Sequence, residues 1–182
     1  AGNCTVPAVT TSNVTNIQGT SASGGGEVTD DGGSEVTERG VCWSTSHNPT
    51  NNDPRTSDGG GTGVYSSAIE NLDPETTYYL RAYASNSTGT GYGEEVSFTT
   101  AGITVSDYDG NTYNGVKIGN QIWMAENLKV THYADGTPIP LVESPSAWDG
   151  LEWSDKAYSW YENSTSNRDL YGGLYTWGAV MN

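Results

Sequence analysis

The hydrophobic and polar positions of the first hundred residues alternate in short runs, which clusters of Gly, Asn, Asp and Pro interrupt. Runs of this length with a period of two predict β-strands joined by tight turns. The predicted strands cover residues 6–17, 21–29, 35–45, 63–72, 76–86 and 94–100. Residues 48–63 hold too many strand breakers for a central strand and are expected to form a loop or a ragged edge. This pattern indicates a β-sandwich.

The strand predicted over residues 76–86 carries the most specific motif of this half. Alternation places Leu80, Ala82 and Ala84 on one face and Tyr79, Arg81 and Tyr83 on the other. Within LDPETTYYLRAYASN, the residues Leu72, Pro74, Thr76 and Tyr78 resemble the signature of fibronectin type III domains. The resemblance implies that Tyr78 is the corner tyrosine, whose hydroxyl ties the strand start to upstream backbone. The resemblance covers most of residues 6–100. The wider pattern of this segment is similar to modules of Bacteroidetes-type surface proteins, which serve as spacers or interaction domains.

The second half has a different pattern, with a boundary expected at Ala101-Gly102. Asp109-Gly110 and Gly119-Asn120 each separate two apolar runs and predict β-hairpins, and Asp135-Gly136 predicts a third turn. A short helical stretch is predicted near AENLK (125–129), and no long amphipathic helix. The expected fold is mainly all-β. It comprises a fibronectin-III-like sandwich over residues 1–100 and a small, aromatic-rich β domain with little helix over residues 101–182.

The second domain closely resembles the Fibrobacter succinogenes major paralogous (FISUMP) domain family. The matching segments are DYDGNTY (107–113), VKIGNQ (116–121), WMAENLK (123–129), the later Trp148 and Trp160-Tyr161, and YGGLYTW (171–177). Members of this family occur in secreted and surface proteins. Full-length members continue beyond the last of these motifs, so the resemblance implies a partial domain here.

The charge balance narrows the choice of partners and compartment. A formal charge of −15, with 7 basic against 22 acidic residues, argues against a nucleic-acid partner and against an anionic membrane surface. No apolar run is long enough to span a bilayer, so no membrane insertion is predicted. No basic start precedes an apolar run, and Ala1 is expected to mark a processed or trimmed start. The predicted location is extracellular or at the cell surface.

Candidate catalytic chemistry is sparse. The two histidines, His47 and His132, fall in different domains, and HExxH and CxxC motifs do not occur. These counts disfavour zinc catalysis and a His-based triad. Among the acidic residues, Glu126 in WMAENL is the best-placed candidate for acid–base chemistry because of its apolar neighbours, but a structural role in a turn is favoured. We therefore predict that the protein is not an enzyme.

Asp107, Asp109 and Asn111 are the candidate metal ligands. Their spacing is similar to the start of a calcium loop, and Ca²⁺ favours such oxygen ligands. The EF-hand pattern, however, needs Gly at position six and Glu at position twelve, where this chain has Thr112 and Ile118. A plain hairpin turn is favoured, with Ca²⁺ kept as the alternative and no other cofactor expected.

The two cysteines allow three arrangements. Cys4 and Cys42 are candidates for one disulfide, which would suit an oxidising compartment. Cys42 lies within the apolar run RGVCW and would otherwise be a buried free thiol. Cys4 could instead pair between chains.

The aromatic residues of the second half support two function hypotheses. Between residues 101 and 182 lie five of the six Trp and seven of the twelve Tyr, and these rings need a core or a partner to cover them. The candidate interface or ligand residues are Trp123, Trp148, Trp153, Trp160, Tyr161, Tyr175 and Trp177. We predict a non-catalytic structural protein that assembles with other copies of itself, or with surface proteins, into a filament. The alternative is an adhesion module that binds glycans through Trp148, Trp153, Trp160 and Tyr161.

Overall fold

The structure is a computed structural model that describes residues 3–181, and the chain forms two compact units. The first unit extends to Gly102 and the second begins at Ile103. Antiparallel strands dominate both units, and the helices are short. The fold is therefore all-β, as the alternation of the sequence predicts.

Two sheets build the first unit. Its strands are β1 (Ala8–Thr11), β2 (Ala22–Asp30), β3 (Glu38–Ser44), β4 (Gly63–Ile69), β5 (Thr77–Asn86), β6 (Gly89–Tyr92) and β7 (Val96–Thr99). One sheet has the order β1-β2-β4. The other has the order β3-β5-β6, with β7 also paired to β5. The short strand β6 is the one that the sequence pattern did not predict.

Alternation along β5 builds the core between the sheets. Leu80, Ala82 and Ala84 are fully buried, on the single face that the period of two predicts. Tyr83 on the opposite face is also fully buried, because the segment that follows β3 crosses over it. The Tyr83 hydroxyl donates hydrogen bonds to the Thr56 carbonyl oxygen at 2.7 Å and to Glu38 Oε1 at 3.0 Å.

The turn before β5 has the corner geometry that the fibronectin resemblance implies. The Asp73 backbone N–H donates to the Tyr78 hydroxyl at 3.0 Å, and the Thr100 hydroxyl donates to the Asp73 carbonyl oxygen at 2.6 Å. These two bonds attach the segment upstream of β5 to the start of β5 and to the end of β7. The corner therefore closes the sandwich at one end.

A run of three glycines in β2 sets how closely the neighbouring strands approach. A Cβ on Gly26 would lie 2.5 Å from the Thr10 carbonyl oxygen and 2.6 Å from the Ala82 Cβ of the opposite sheet. A Cβ on Gly25 would lie 2.4 Å from the Tyr65 carbonyl oxygen. These distances are too short for any side chain, so the packing of both sheets depends on glycine here.

The second unit contains two smaller sheets and three short helices. Its elements are β8 (Ile103–Ser106), β9 (Thr112–Ile118), β10 (Gln121–Met124), α1 (Pro145–Asp149), β11 (Tyr158–Trp160), α2 (Arg168–Tyr171), β12 (Gly173–Tyr175) and α3 (Trp177–Val180). Strands β10, β9 and β8 form an antiparallel sheet in that order, and β11 pairs with β12. The three predicted turns are present, with Gly110, Gly119 and Gly136 at φ of 80°, 60° and 84°.

The helix expected near AENLK does not form. The Ala125 N–H donates to the Asn114 carbonyl oxygen, and the Lys129 N–H donates to the Tyr113 hydroxyl. These backbone donors are used by β9, so the segment runs as an irregular strap along the sheet. The helices that do form were not predicted, because four or five residues are too few to show a helical period.

The core of the second unit is small and aromatic. Ile139, Tyr158, Trp160 and Ala179 are buried together, and Tyr175 packs against them. The rings of Tyr158 and Trp160 meet edge to face, with centroids 5.1 Å apart. Such pairs contribute beyond the area that they bury, so part of the aromatic content is explained by this core.

Candidate functional site

The exposed apolar side chains of this protein are concentrated in the second unit. Of the eighteen large hydrophobic side chains that are exposed among the described residues, sixteen lie after Gly102. The two in the first unit are Val6 and Val64. Scattered exposed hydrophobics are ordinary, whereas concentration on one part of a protein marks an interaction surface.

Strand β10 is the clearest part of this surface. Its four residues are all exposed, and it pairs only with β9 among the described strands, so its other edge is open. Ile122 and Met124 point to one face of the sheet, at 53% and 42% exposure, and Trp123 points to the other at 55%. On the Trp123 face, Val116 lies directly opposite on β9 and is 44% exposed. An edge strand with apolar residues on both faces is a template for pairing with another chain.

The predicted aromatic residues divide into three groups. Trp160 is buried and Tyr175 is partly buried, and both belong to the core. Trp123, Trp153 and Trp177 are exposed at 55%, 75% and 61%. Tyr161 is also exposed and contacts the Tyr171 ring at a centroid distance of 4.9 Å. The half-buried Trp148, on α1, lines a cavity together with Trp160.

That cavity lies between α1 and β11 and has a volume of about 200 Å³. Trp148, Trp160 and Leu174 supply apolar wall, and Ser159, Glu162 and Asn163 supply polar groups. Of the four residues predicted to form a sugar platform, Trp148 and Trp160 line this cavity and Trp153 and Tyr161 do not. No sequence signal pointed to Glu162.

The turn that contains the candidate metal ligands Asp107 and Asn111 is held together by hydrogen bonds. Asp107 accepts from the Asn111 backbone N–H at 2.9 Å, from its Nδ2 at 2.8 Å, and from the Tyr113 hydroxyl at 2.5 Å. The Asn111 Oδ1 accepts from Arg168 Nη2 at 2.6 Å. Burial and the bond to Asp107 together raise the pKa of Tyr113 to about 12. The oxygens proposed as Ca²⁺ ligands are therefore bound to protein donors.

Asp109, the third member of that candidate set, faces a different segment. Its carboxylate accepts from the Thr131 N–H, from Thr131 Oγ1 at 2.9 Å, and pairs with His132 Nδ1 at 2.6 Å. Burial opposes its ionisation, but these hydrogen bonds outweigh that effect and hold the pKa of Asp109 below its usual range. In residues 3–181 no three His, Cys, Asp or Glu side chains converge as a metal site would require.

The disulfide that the sequence allowed is absent, since both cysteines are free thiols. Cys4 is exposed, and its Sγ donates to the Gly33 carbonyl oxygen at 3.2 Å. Cys42 is fully buried in β3 and donates to the Arg81 carbonyl oxygen at 3.5 Å. The buried-thiol alternative therefore describes Cys42.

Two further cavities had no counterpart in the sequence analysis. One of about 630 Å³ opens in the first unit beside Trp43, Arg55 and Glu70. The other, of about 390 Å³, lies in the second unit beside Val130, Tyr133 and Ile139. The Tyr133 hydroxyl is buried and has no hydrogen-bond partner among the described residues. The sequence analysis did not indicate that a cavity would form at either position.

Comparison with known proteins gives one family match and several structural ones. Residues 116–182 match the family model described as Fibrobacter succinogenes major domain. Among curated proteins, no sequence matches this chain. The FN1–FN3 domains of chicken CNTN1 are 23% identical, with 54% of this chain and 33% of that chain covered and a TM-score of 0.42.

Two other structures are similar over a comparable share of the chain. The sixth fibronectin type III domain of human fibronectin type III domain containing protein 3 is 30% identical, with 54% and 83% of the chains covered and a TM-score of 0.37. The sensor domain of the anti-sigma factor RsgI4 in Pseudobacteroides cellulosolvens is 17% identical, with 54% and 98% covered and a TM-score of 0.40.

Fold, site and family together define a class. The all-β fold and the family match over residues 116–182 fit a surface or extracellular module. The first unit is a β-sandwich with the corner tyrosine that the fibronectin resemblance implies, and residues 116–182 match the Fibrobacter succinogenes major domain model. Within residues 3–181, no helix is both long enough and apolar enough to cross a bilayer.

Proposed function

We propose that this protein is a secreted or cell-surface structural subunit that assembles with other copies of itself through its second unit. The observation that carries the proposal is the open edge of β10, which is exposed along its whole length and apolar on both faces. Strand addition would pair the open backbone groups and cover the side chains in one step.

The charges around β10 do not oppose a second copy of the chain at that edge. The chain has a formal charge of −15, so most surfaces of two copies repel each other. The segment from Gly115 to Ala125 contains Lys117 and no acidic residue. Two copies can therefore approach at β10 without bringing carboxylates together, and two identical edges can pair antiparallel about a twofold axis.

A second apolar surface would extend such a pair into a filament. On α3 and directly after it, Trp177, Val180 and Met181 are exposed at 61%, 63% and 66%. A subunit with two separate contact surfaces can bind a neighbour at each, and repetition of these contacts gives an open chain of subunits. The fibronectin-like unit then serves as a spacer carried along the assembly.

The experiment compares two lysine substitutions on edge strands. Ile122→Lys places a charge on β10, whereas Val64→Lys places one on β4, an edge strand of the first unit where Val64 is 73% exposed. Sedimentation velocity across a concentration series should show association for the wild type and for Val64→Lys. Ile122→Lys should sediment no larger than a dimer, because a lysine on an edge strand blocks pairing at β10 and leaves only the α3 surface for contact.

Amide hydrogen exchange, measured beside sedimentation, can give the result that would contradict the proposed assembly. If the wild type sediments as a monomer at every concentration and the β10 amides are nevertheless protected, the edge is already satisfied within one chain. The proposed assembly would then be wrong.

A further inference from the structure

We propose that the cavity between α1 and β11 binds one neutral sugar ring of a glycan. The cavity has a volume of about 200 Å³. This is below the roughly 300–1,000 Å³ of pockets that enclose drug-sized ligands. It admits a single ring of a glycan whose other units stay outside. The site is separate from β10 and does not depend on the proposed assembly.

Two indole rings form the apolar part of the cavity. Trp148 is half-buried on α1, and Trp160 is 5% exposed on β11. Trp160 is held in place by the edge of the Tyr158 ring and by the Arg168 guanidinium, which lies 5.7 Å from its ring centroid. A pyranose presents C–H groups on its faces, and such a face packs against an indole. Because Trp160 is fixed by its neighbours, no ordering of that ring is needed on binding.

The polar groups of the cavity match the hydroxyls of a sugar, each of which donates and accepts. The Ser159 hydroxyl donates to Asn163 Oδ1 at 2.6 Å. The Asn163 Nδ2 thus keeps two donor hydrogens, without a partner among the described residues. The Glu162 carboxylate offers only acceptors when it is ionised. An adjacent donor and acceptor can bind one hydroxyl, or two neighbouring hydroxyls, of the same ring.

Backbone strain occurs at the same two residues. Glu162 and Asn163 are consecutive and have φ of 54° and 51°. This left-handed region is unfavourable for residues other than glycine, and more so for Glu than for Asn. Strained residues of this kind cluster at ligand sites, where the surrounding fold holds them. Both of these residues line the cavity, together with Trp148 and Trp160.

The charge of the lining selects among sugars. Asp149 and Glu162 line the cavity, and none of its lining residues is a Lys, an Arg or a His. Carboxylate, sulfate or phosphate groups on a ligand would be repelled there. The expected ligand is therefore a neutral hexose unit rather than a uronic acid, a sialic acid or a sugar phosphate.

The test titrates methyl glycosides of glucose, galactose and mannose into the full chain and follows the indole N–H signals by NMR. A saturating shift of the Trp148 signal by at least one sugar, with a Kd in the millimolar range, is expected for a site that holds one ring. Followed on the Trp160 signal, Trp148→Ala should weaken binding about tenfold or more. The matched control is Trp153→Ala, because Trp153 is 75% exposed and lies outside the cavity lining.

The effects of ligand charge and of assembly on sugar binding are measured with the same indole N–H signals. Methyl glucuronide should bind more weakly than methyl glucoside, and Glu162→Gln should narrow that difference. Ile122→Lys should bind the sugar as the wild type does, so failure of the assembly proposal would leave this one standing. The proposal is overturned if no glycoside shifts the Trp148 signal, or if Trp148→Ala and Trp153→Ala bind equally well.

Discussion

The thiols of Cys4 and Cys42 differ in reactivity because their surroundings differ. The thiolate is the reactive form, and burial raises the pKa of Cys42 to about 11. Cys4 is exposed. With an aromatic disulfide reagent near pH 8, we expect one thiol per chain to react quickly and the second only after denaturation. Cys4→Ser should remove the fast phase and Cys42→Ser should retain it. Absence of a fast phase without added reductant would show that the two residues are oxidised.

The sequence predicts individual buried residues where a strand has one covered face. It places Leu80, Ala82 and Ala84 together, and all three are fully buried. It cannot predict the burial of Tyr83, because that depends on a loop that crosses the opposite face. The left-handed backbone at Glu162 and Asn163 is equally invisible, since neither a glycine nor a recognised turn motif marks it.

The strap that follows β10 and the turn between β8 and β9 are joined by an acid-sensitive contact. Asp109 accepts hydrogen bonds from Thr131 and His132, and these hold its pKa below the usual value. A carboxylate with a lowered folded-state pKa contributes stability above its unfolded pKa of about 3.9, and this contribution disappears as the pH falls through the lower folded value.

We therefore expect the second unit to lose stability as the pH falls from about 5 through and below about 3.9. Asp109→Asn should reduce its stability at neutral pH by on the order of 1 kcal/mol and should flatten this pH dependence. Urea unfolding followed by Trp fluorescence reports on this unit, which contains five of the six Trp. Asp135 also has a lowered pKa, caused by hydrogen bonds from Thr137, and should account for the remaining slope. An unchanged slope in Asp109→Asn would contradict the assignment.

Whole elements were predictable where turn residues mark them. Gly110 and Gly119 stand at the ends of the two hairpins, and both have positive φ. The helix around AENLK was expected because the local sequence favours it. It does not form, because the backbone partners of this segment belong to β9. Short elements such as β6 and α1 have only four and five residues, which are too few to show a period.

The charge of the whole molecule should control its association. Each copy carries a formal charge of −15, so two copies repel each other at low ionic strength. The screening length falls from about 30 Å at 0.01 M salt to about 8 Å at 0.15 M. If apolar contacts at β10 join the copies, added salt should strengthen association in sedimentation equilibrium. Weaker association at higher salt would instead indicate an interface made of charge pairs.

The sequence predicted which part of the chain holds the candidate site, but it did not predict which of the aromatic residues there are buried and which are exposed. The excess of aromatic residues after Gly102 correctly indicated where apolar surface is exposed. Composition alone could not assign Trp160 to the core and Trp153 to the surface, because both lie among similar polar neighbours in the sequence. That division depends on the pairing of β11 with β12, which places Trp160 beside Gly173.

The glycine run of β2 also limits how this sandwich can vary. A Cβ added at Gly24 would contact only side chains, the nearest being Ile69 at 3.1 Å. A small residue there would therefore need only modest repacking. At Gly25 and Gly26 the obstacle is backbone, and a carbonyl oxygen cannot move aside without breaking the sheet. A library that diversifies the module as a scaffold should therefore keep these two positions constant and place its variation on the loops.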